Sequence, residues 1–262
     1  MVRNMAKTLL HDVSMFERLY TGPSAQGMSK TMLNVGLFPP EYWFLHLSKF
    51  AQVQYRFPEQ LAAFPSNEFY KGRLRMGVTD ATTRLAALKD SKFPWPTERG
   101  VVVPTVFVQC GLEEDMGGMS KSNAGQAEVV RKVIGLLTTR GTSGEKMEGE
   151  GRPKVTVLTP YTEQVSELKR RLPNDVGVFT IDSFQGRESD IVIFSTVRCN
   201  LDRDIGFLED ERRMNVVWTR AKLALIIVGD RPTLTEKNGL WRRALDSCTP
   251  VTPPSESTVP TR

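Results

Sequence analysis

From residue 101 to residue 229, short runs of β-branched and aliphatic residues alternate with segments of helical period, and this alternation constrains the fold more than any other feature. A chain of that pattern builds βαβ units, and βαβ units build a mainly parallel sheet. Strands are expected at 101–108, 155–159, 178–181, 191–196 and 225–229. Their apolar residues run on without regular polar interruption, as in strands covered by helices on both faces. Between them, 123–137 places Val129, Val130, Val133, Ile134 and Leu137 on one side of a helix. Thr162 is expected to N-cap a second helix carrying Val165, Leu168 and Leu172, closed by Pro173. A third is expected over 212–222, burying Met214, Val217, Trp218 and Ala221. The expected class is α/β, a doubly wound and mainly parallel sheet.

Composition narrows the function classes. With 262 residues, 40% hydrophobic and 25% charged, the chain can bury a real core, which excludes collagen-like and wholly disordered readings. Its apolar runs are strand-sized and too short for a bilayer, so no membrane partner is expected. The three cysteines, Cys110, Cys199 and Cys248, are widely spaced with no C-x-x-C, so no metal site or disulfide framework is expected. The first residues lack a secretory apolar core, and an intracellular location is expected. A net charge of +5 permits an anionic partner without requiring one.

Three segments carry candidate chemistry. In residues 178–198, an apolar strand leads into Ser183-Phe-Gln-Gly-Arg-Glu188 and then a second strand. Ligands in open α/β sheets bind beyond the carboxyl ends of strands, so the loop is expected there. Gly186 would let the backbone turn and approach a ligand, with Arg187 and Glu188 beside it. A plain surface turn with a solvated ion pair is the alternative. In residues 209–222, Arg213 and Arg220 lie seven positions apart, which puts them on one side of a helix; arginine's planar fork suits phosphate. In Val53-Gln-Tyr-Arg-Phe-Pro58, Tyr55 could stack on a base with Arg56 beside it for phosphate.

In order, VQYRFPEQLAAFPSNEFYKGRL, VLTPYTEQV, IDSFQGRESDIVIFSTVR and IGFLEDERRMNVVWTRAKLALIIVGD resemble the second RecA-like domain of superfamily 1 helicases, in particular the RNA helicases of nonsense-mediated mRNA decay. The resemblance covers about residues 53–245. It implies ATP with Mg²⁺ in a cleft shared with a first RecA-like domain, and single-stranded RNA or DNA running across both. Tyr55 then matches the adenine-packing tyrosine, and Arg56 an arginine that reaches the γ-phosphate. Gly186 and Glu188 match the Gln-Gly-x-Glu loop at the nucleotide. Arg220 matches the arginine finger. Thr159, Pro160, Tyr161 and Ser183 match positions near the strand. By the same resemblance, the cytoplasm is favoured over the nucleus.

The sequence also departs from the family pattern. It contains no G-x-x-x-x-G-K-[ST] and no acidic pair for Mg²⁺, so it is a RecA-like domain without the P-loop, and no ATPase is expected from these residues alone. The 18 residues 35–52 interrupt a pattern that joining Asn34 to Val53 restores, and they read as a translated intron or gene-model error; a genuine partner-binding insertion is the alternative. Val217 and Trp218 stand where the family has smaller or aliphatic residues. The expected layout is a remnant of a preceding domain with the insertion over 1–52, the RecA-like domain over 53–246, and a disordered tail over 247–262. The competing readings are a catalytically inactive nucleic-acid-binding or regulatory module, and a non-functional gene fragment.

Overall fold

The computed structural model describes residues 53–115, 120–141 and 152–252. The expected insertion at 35–52, most of the polar loop at 141–152 and residues 253–262 of the expected tail lie outside the described residues.

A six-stranded parallel sheet organises the domain: β1 (Thr105–Gln109), β2 (Val155–Thr159), β3 (Gly177–Thr180), β4 (Ser189–Ser195), β5 (Ala221–Gly229) and β6 (Thr249–Pro250), in the spatial order β6-β1-β5-β4-β2-β3. The helices are α1 (Glu59–Tyr70), α2 (Ala81–Ala86), α3 (Ala124–Leu137), α4 (Thr162–Arg171), α5 (Glu211–Trp218), α6 (Arg231–Thr235) and α7 (Gly239–Asp246).

The unbroken apolar runs serve two cores at once. Along β4, Ile191 and Ile193 point into a cluster with Val130, Ile134 and Leu168, while Val192 and Phe194 point into another with Leu61, Trp218 and Trp241. Because side chains alternate along a strand, one run fills both faces. Strand β5 divides in the same way, with Ala224, Ile226 and Val228 on one face and Leu225 and Ile227 on the other.

Several expected boundaries are corrected. The run at 101–108 is interrupted at Pro104 and gives a short hairpin strand, Val101–Val102, before β1. Pro lacks the N–H that a central ladder needs. Tyr161, not Thr162, occupies the N-cap of α4, and the Glu163 amide is met by Ser120 Oγ at 3.3 Å. The helix expected over 212–222 ends at Trp218, where the Thr219 amide and hydroxyl both turn back to the Asn215 carbonyl. Ala221 and Lys222 belong to β5 instead, so Arg213 and Arg220 do not share a helix face. The extra bulk of Trp218 is taken up against Phe64 of α1, with ring centroids 4.4 Å apart. Finally, residues 247–252 are not a free tail: Cys248 is buried, and Thr249–Pro250 adds an edge strand beside Val106 and Phe107.

A candidate phosphate site and a second edge

The connection from β3 to β4 determines where the expected site residues fall. Strands β3 and β4 are not neighbours: β2 lies between them and pairs with both, so the connection must pass β2 as well as return along the sheet. Here the eight residues 181–188 cross from the carboxyl edge to the amino edge with one short 3-10 turn, Asp182–Phe184, anchored by buried Ile181 and Phe184. Ser183 therefore lies at the carboxyl edge, its hydroxyl donating to the Thr180 carbonyl at 3.0 Å, whereas Glu188 lies at the amino edge beside the start of β4. The expectation that the whole loop sits beyond the strands' carboxyl ends is corrected, because the chain must return to begin a parallel strand.

Three of the expected residues, Arg56, Glu188 and Arg220, meet one unexpected residue, Lys222, at the amino edge. The Ser189 amide donates to the Arg220 carbonyl at 3.1 Å, which sets the ends of β4 and β5 side by side. Glu188 accepts from Arg56 Nε at 2.7 Å and pairs with Lys222 Nζ at 2.8 Å. Arg56 also donates to the Thr219 carbonyl at 2.8 Å. Arg220 is held by the carbonyls of Val216 at 3.2 Å and Arg187 at 3.4 Å and by Thr219 Oγ1 at 3.2 Å. Lys222 was missed by sequence reasoning; its signal was its place two residues after Arg220 in a strand. Gly186 has φ +81°, a left-handed turn that favours glycine, and a Cβ there would meet open space, so its requirement is conformational.

Among the described residues, Arg56 and Lys222 contact the carboxylate of Glu188, and Arg220 lies close enough to feel Arg56 and Glu188 electrostatically. Lys222 first, then Arg56, hold the Glu188 carboxyl below its usual range. Burial, then repulsion from Arg56, push the Arg220 guanidinium below its usual value. A bound anion would add an attraction that offsets both effects on Arg220. Tyr55 is 69% exposed, and its ring lies flat enough over Gly77 that any Cβ there would overlap it. The arrangement offers fixed cations for a polyphosphate and an open aromatic face for a planar group.

At the carboxyl edge, Thr159 is fully buried, with a hydroxyl that makes no hydrogen bond, and Tyr161 is buried too. Pro160 is half-buried and Ser183 exposed. Beneath them lies a polar network that sequence reasoning missed. Asn123 and Gln164 exchange hydrogen bonds, the Asn123 amide donating to Gln164 Oε1 at 2.7 Å and Gln164 Nε2 to the Asn123 carbonyl at 3.2 Å. Gln126 Oε1 accepts from the Val197 amide at 2.7 Å and from Ser195 Oγ at 3.1 Å. This network pins Val197 at φ 70°, a costly conformation for a β-branched residue.

The fold and these residues define a RecA-like α/β domain. The family described as an AAA domain is matched over residues 11–232, and the chain belongs to it, as the C-terminal RecA-like domain of a superfamily 1 helicase. Its relatives include a regulator of nonsense transcripts 1 homolog from Drosophila melanogaster, 36% identical over 74% of this chain and 16% of the relative. The Arabidopsis thaliana homolog is 33% identical over 84% of this chain and 17% of its own length. The ATP-dependent helicase NAM7 of Saccharomyces cerevisiae is 38% identical over 74% of this chain and 20% of its length. The matched region thus spans a fifth or less of each of these relatives. Among the described residues, no helix is long and apolar enough to cross a membrane, and no group of three or more His, Cys, Asp or Glu could hold a metal ion.

Proposed function

We propose that this chain supplies the second wall of the ATP site in a motor that moves on single-stranded RNA or DNA. The observation that carries the reading is the excess of fixed cations, Arg56, Arg220 and Lys222, around Glu188. Residues that repel one another in the absence of an anion are held where a phosphate would be bound, and the family relation makes ATP its source. Arg220 is the arginine finger, placed to stabilise charge on the transferring phosphoryl group, and Arg56 reaches the same group. Tyr55 packs on the adenine. Glu188 and the Gly186 turn fix the approach of the loop to the nucleotide.

Mg²⁺ would travel with the phosphates and neutralise charge between them. This chain's described carboxylates form no cluster for it, so protein ligands for the metal fall to a first RecA-like domain, which is the required partner. The single strand crosses the carboxyl edge near Pro160 and Ser183; buried Thr159 and Tyr161 shape that surface from beneath.

The test is turnover measured with and without a first RecA-like domain supplied from one of the relatives. The chain alone is expected to hydrolyse no ATP with single-stranded RNA present. The joined protein is expected to turn over, and Arg220→Ala to lower its rate by about 10³-fold or more. Strand-stimulated turnover by the chain alone that vanished in Arg220→Ala would contradict the shared site.

A further inference from the structure

Phe207 is a large apolar side chain left 43% exposed at the carboxyl edge. It belongs to the 3-10 turn Gly206–Glu209. The buried ring of Tyr161 supports it from one side at 5.5 Å between centroids, and the Arg213 guanidinium lies over it at 5.3 Å from the centroid. Arg213, in the first turn of α5, is held there by Asp182, with contacts at 3.1 and 3.2 Å. Asp182 is largely exposed and adjoins Ser183. Tyr161 follows β2 and Asp182 follows β3, so the column Tyr161–Phe207–Arg213 stands over the carboxyl ends of those strands.

We propose that Phe207 is a stacking platform for one nucleobase of the bound strand, with Arg213 occupying its face until the strand arrives. This rests on the strand-binding part of the proposed function. A guanidinium is planar and weakly hydrated, so it covers an aromatic face in the way a base would. An arriving base takes the ring, and Arg213 exchanges Asp182 for the neighbouring phosphate. The exchange is feasible because the Arg213–Asp182 pair is solvent-accessible and such pairs are weak. Tyr161 gives the platform its rigidity: its ring is buried, and its hydroxyl faces Arg198 at 3.5 Å. The site reads the presence of a base and not its identity, because every base offers a π-face.

The experiment measures binding of the full chain to a labelled uridine 12-mer and to an abasic 12-mer of equal charge, by fluorescence anisotropy at several salt concentrations. Phe207→Ala is expected to weaken uridine binding about fivefold to a hundredfold, to leave abasic binding unchanged and to preserve the salt slope. Phe207→Trp is expected to retain or tighten uridine binding. Arg213→Gln is expected to reduce the salt slope by about one for both oligomers. Equal loss on both oligomers with Phe207→Ala, or no loss on either, would overturn the platform. Failure of the wild-type chain to bind either oligomer would instead overturn the strand-binding reading beneath it.

Discussion

The two edges of the sheet treat charge in opposite ways. At the amino edge Arg56 and Lys222 share Glu188, while burial and the neighbouring Arg56 disfavour the charge on Arg220. At the carboxyl edge the cations are matched. Arg198 contacts Glu114 at 3.3 Å and Asp204 at 2.6 Å, Arg203 contacts Glu236 at 2.9 Å and Asp230 at 3.6 Å, and Arg213 has Asp182. A balanced edge holds a loop in shape, whereas an unbalanced one awaits charge from outside. The proposed function puts the nucleotide phosphates at the amino edge and the strand at the carboxyl edge, where Phe207 and Ser183 are exposed and Arg213 would trade Asp182 for a strand phosphate.

Removing one cation from each edge gives the largest contrast. Arg198→Ala leaves Glu114, almost fully buried, short of its main countercharge, and is expected to cost about 3 kcal/mol in urea unfolding. Arg56→Ala removes a partly exposed pair and also relieves repulsion on Arg220, so less than about 1 kcal/mol is expected. Equal losses would erase the distinction between the edges.

A smaller effect is expected at Gly77. Its Ala variant has no room under the Tyr55 ring and should displace it, lowering affinity for a fluorescent ATP analogue about tenfold in the joined protein while the unfolding midpoint stays constant. Affinity that survived the displacement would remove Tyr55 from the adenine site.

The smallest effect concerns the internal carboxylate. Glu188→Gln removes the carboxylate that Arg56 and Lys222 contact, and sulfate binding by calorimetry is expected to tighten by a few-fold. The wild type should approach the same behaviour in acid. Its Glu188 pKa is lowered, so the stability from the ion pairs is full above the ordinary carboxyl value of 4.5 and is lost as pH falls through the lower folded value. Sulfate affinity that stayed constant through that window and in Glu188→Gln would mean that Glu188 does not compete for the cations.

How much of this was legible in the sequence depended on range. The strand at 155–159 and the helix at 123–137 follow from local pattern, and both are found, the helix as Ala124–Leu137. Arg56, Glu188 and Arg220 were named from motifs, but their convergence on the amino edge required the 181–188 crossover, which no local period encodes. The helix expected over 212–222 failed because Ala221 is buried as the helical spacing demands, yet the sheet is what buries it. Lys222 was hidden by the same error. The Asn123–Gln164 exchange joins residues 41 apart, and Gln126 meets Val197 across 71, so composition gave no sign of that network.

The central claim, two chemically distinct edges on one sheet, is tested most directly by amide NMR titrations of the chain with pyrophosphate and, separately, with the uridine 12-mer. Pyrophosphate is expected to shift the amides of Arg56, Glu188, Arg220 and Lys222, and the oligomer those of Ser183, Phe207 and Arg213. If both ligands moved the same set of amides, the two edges would be one site and the account would be wrong.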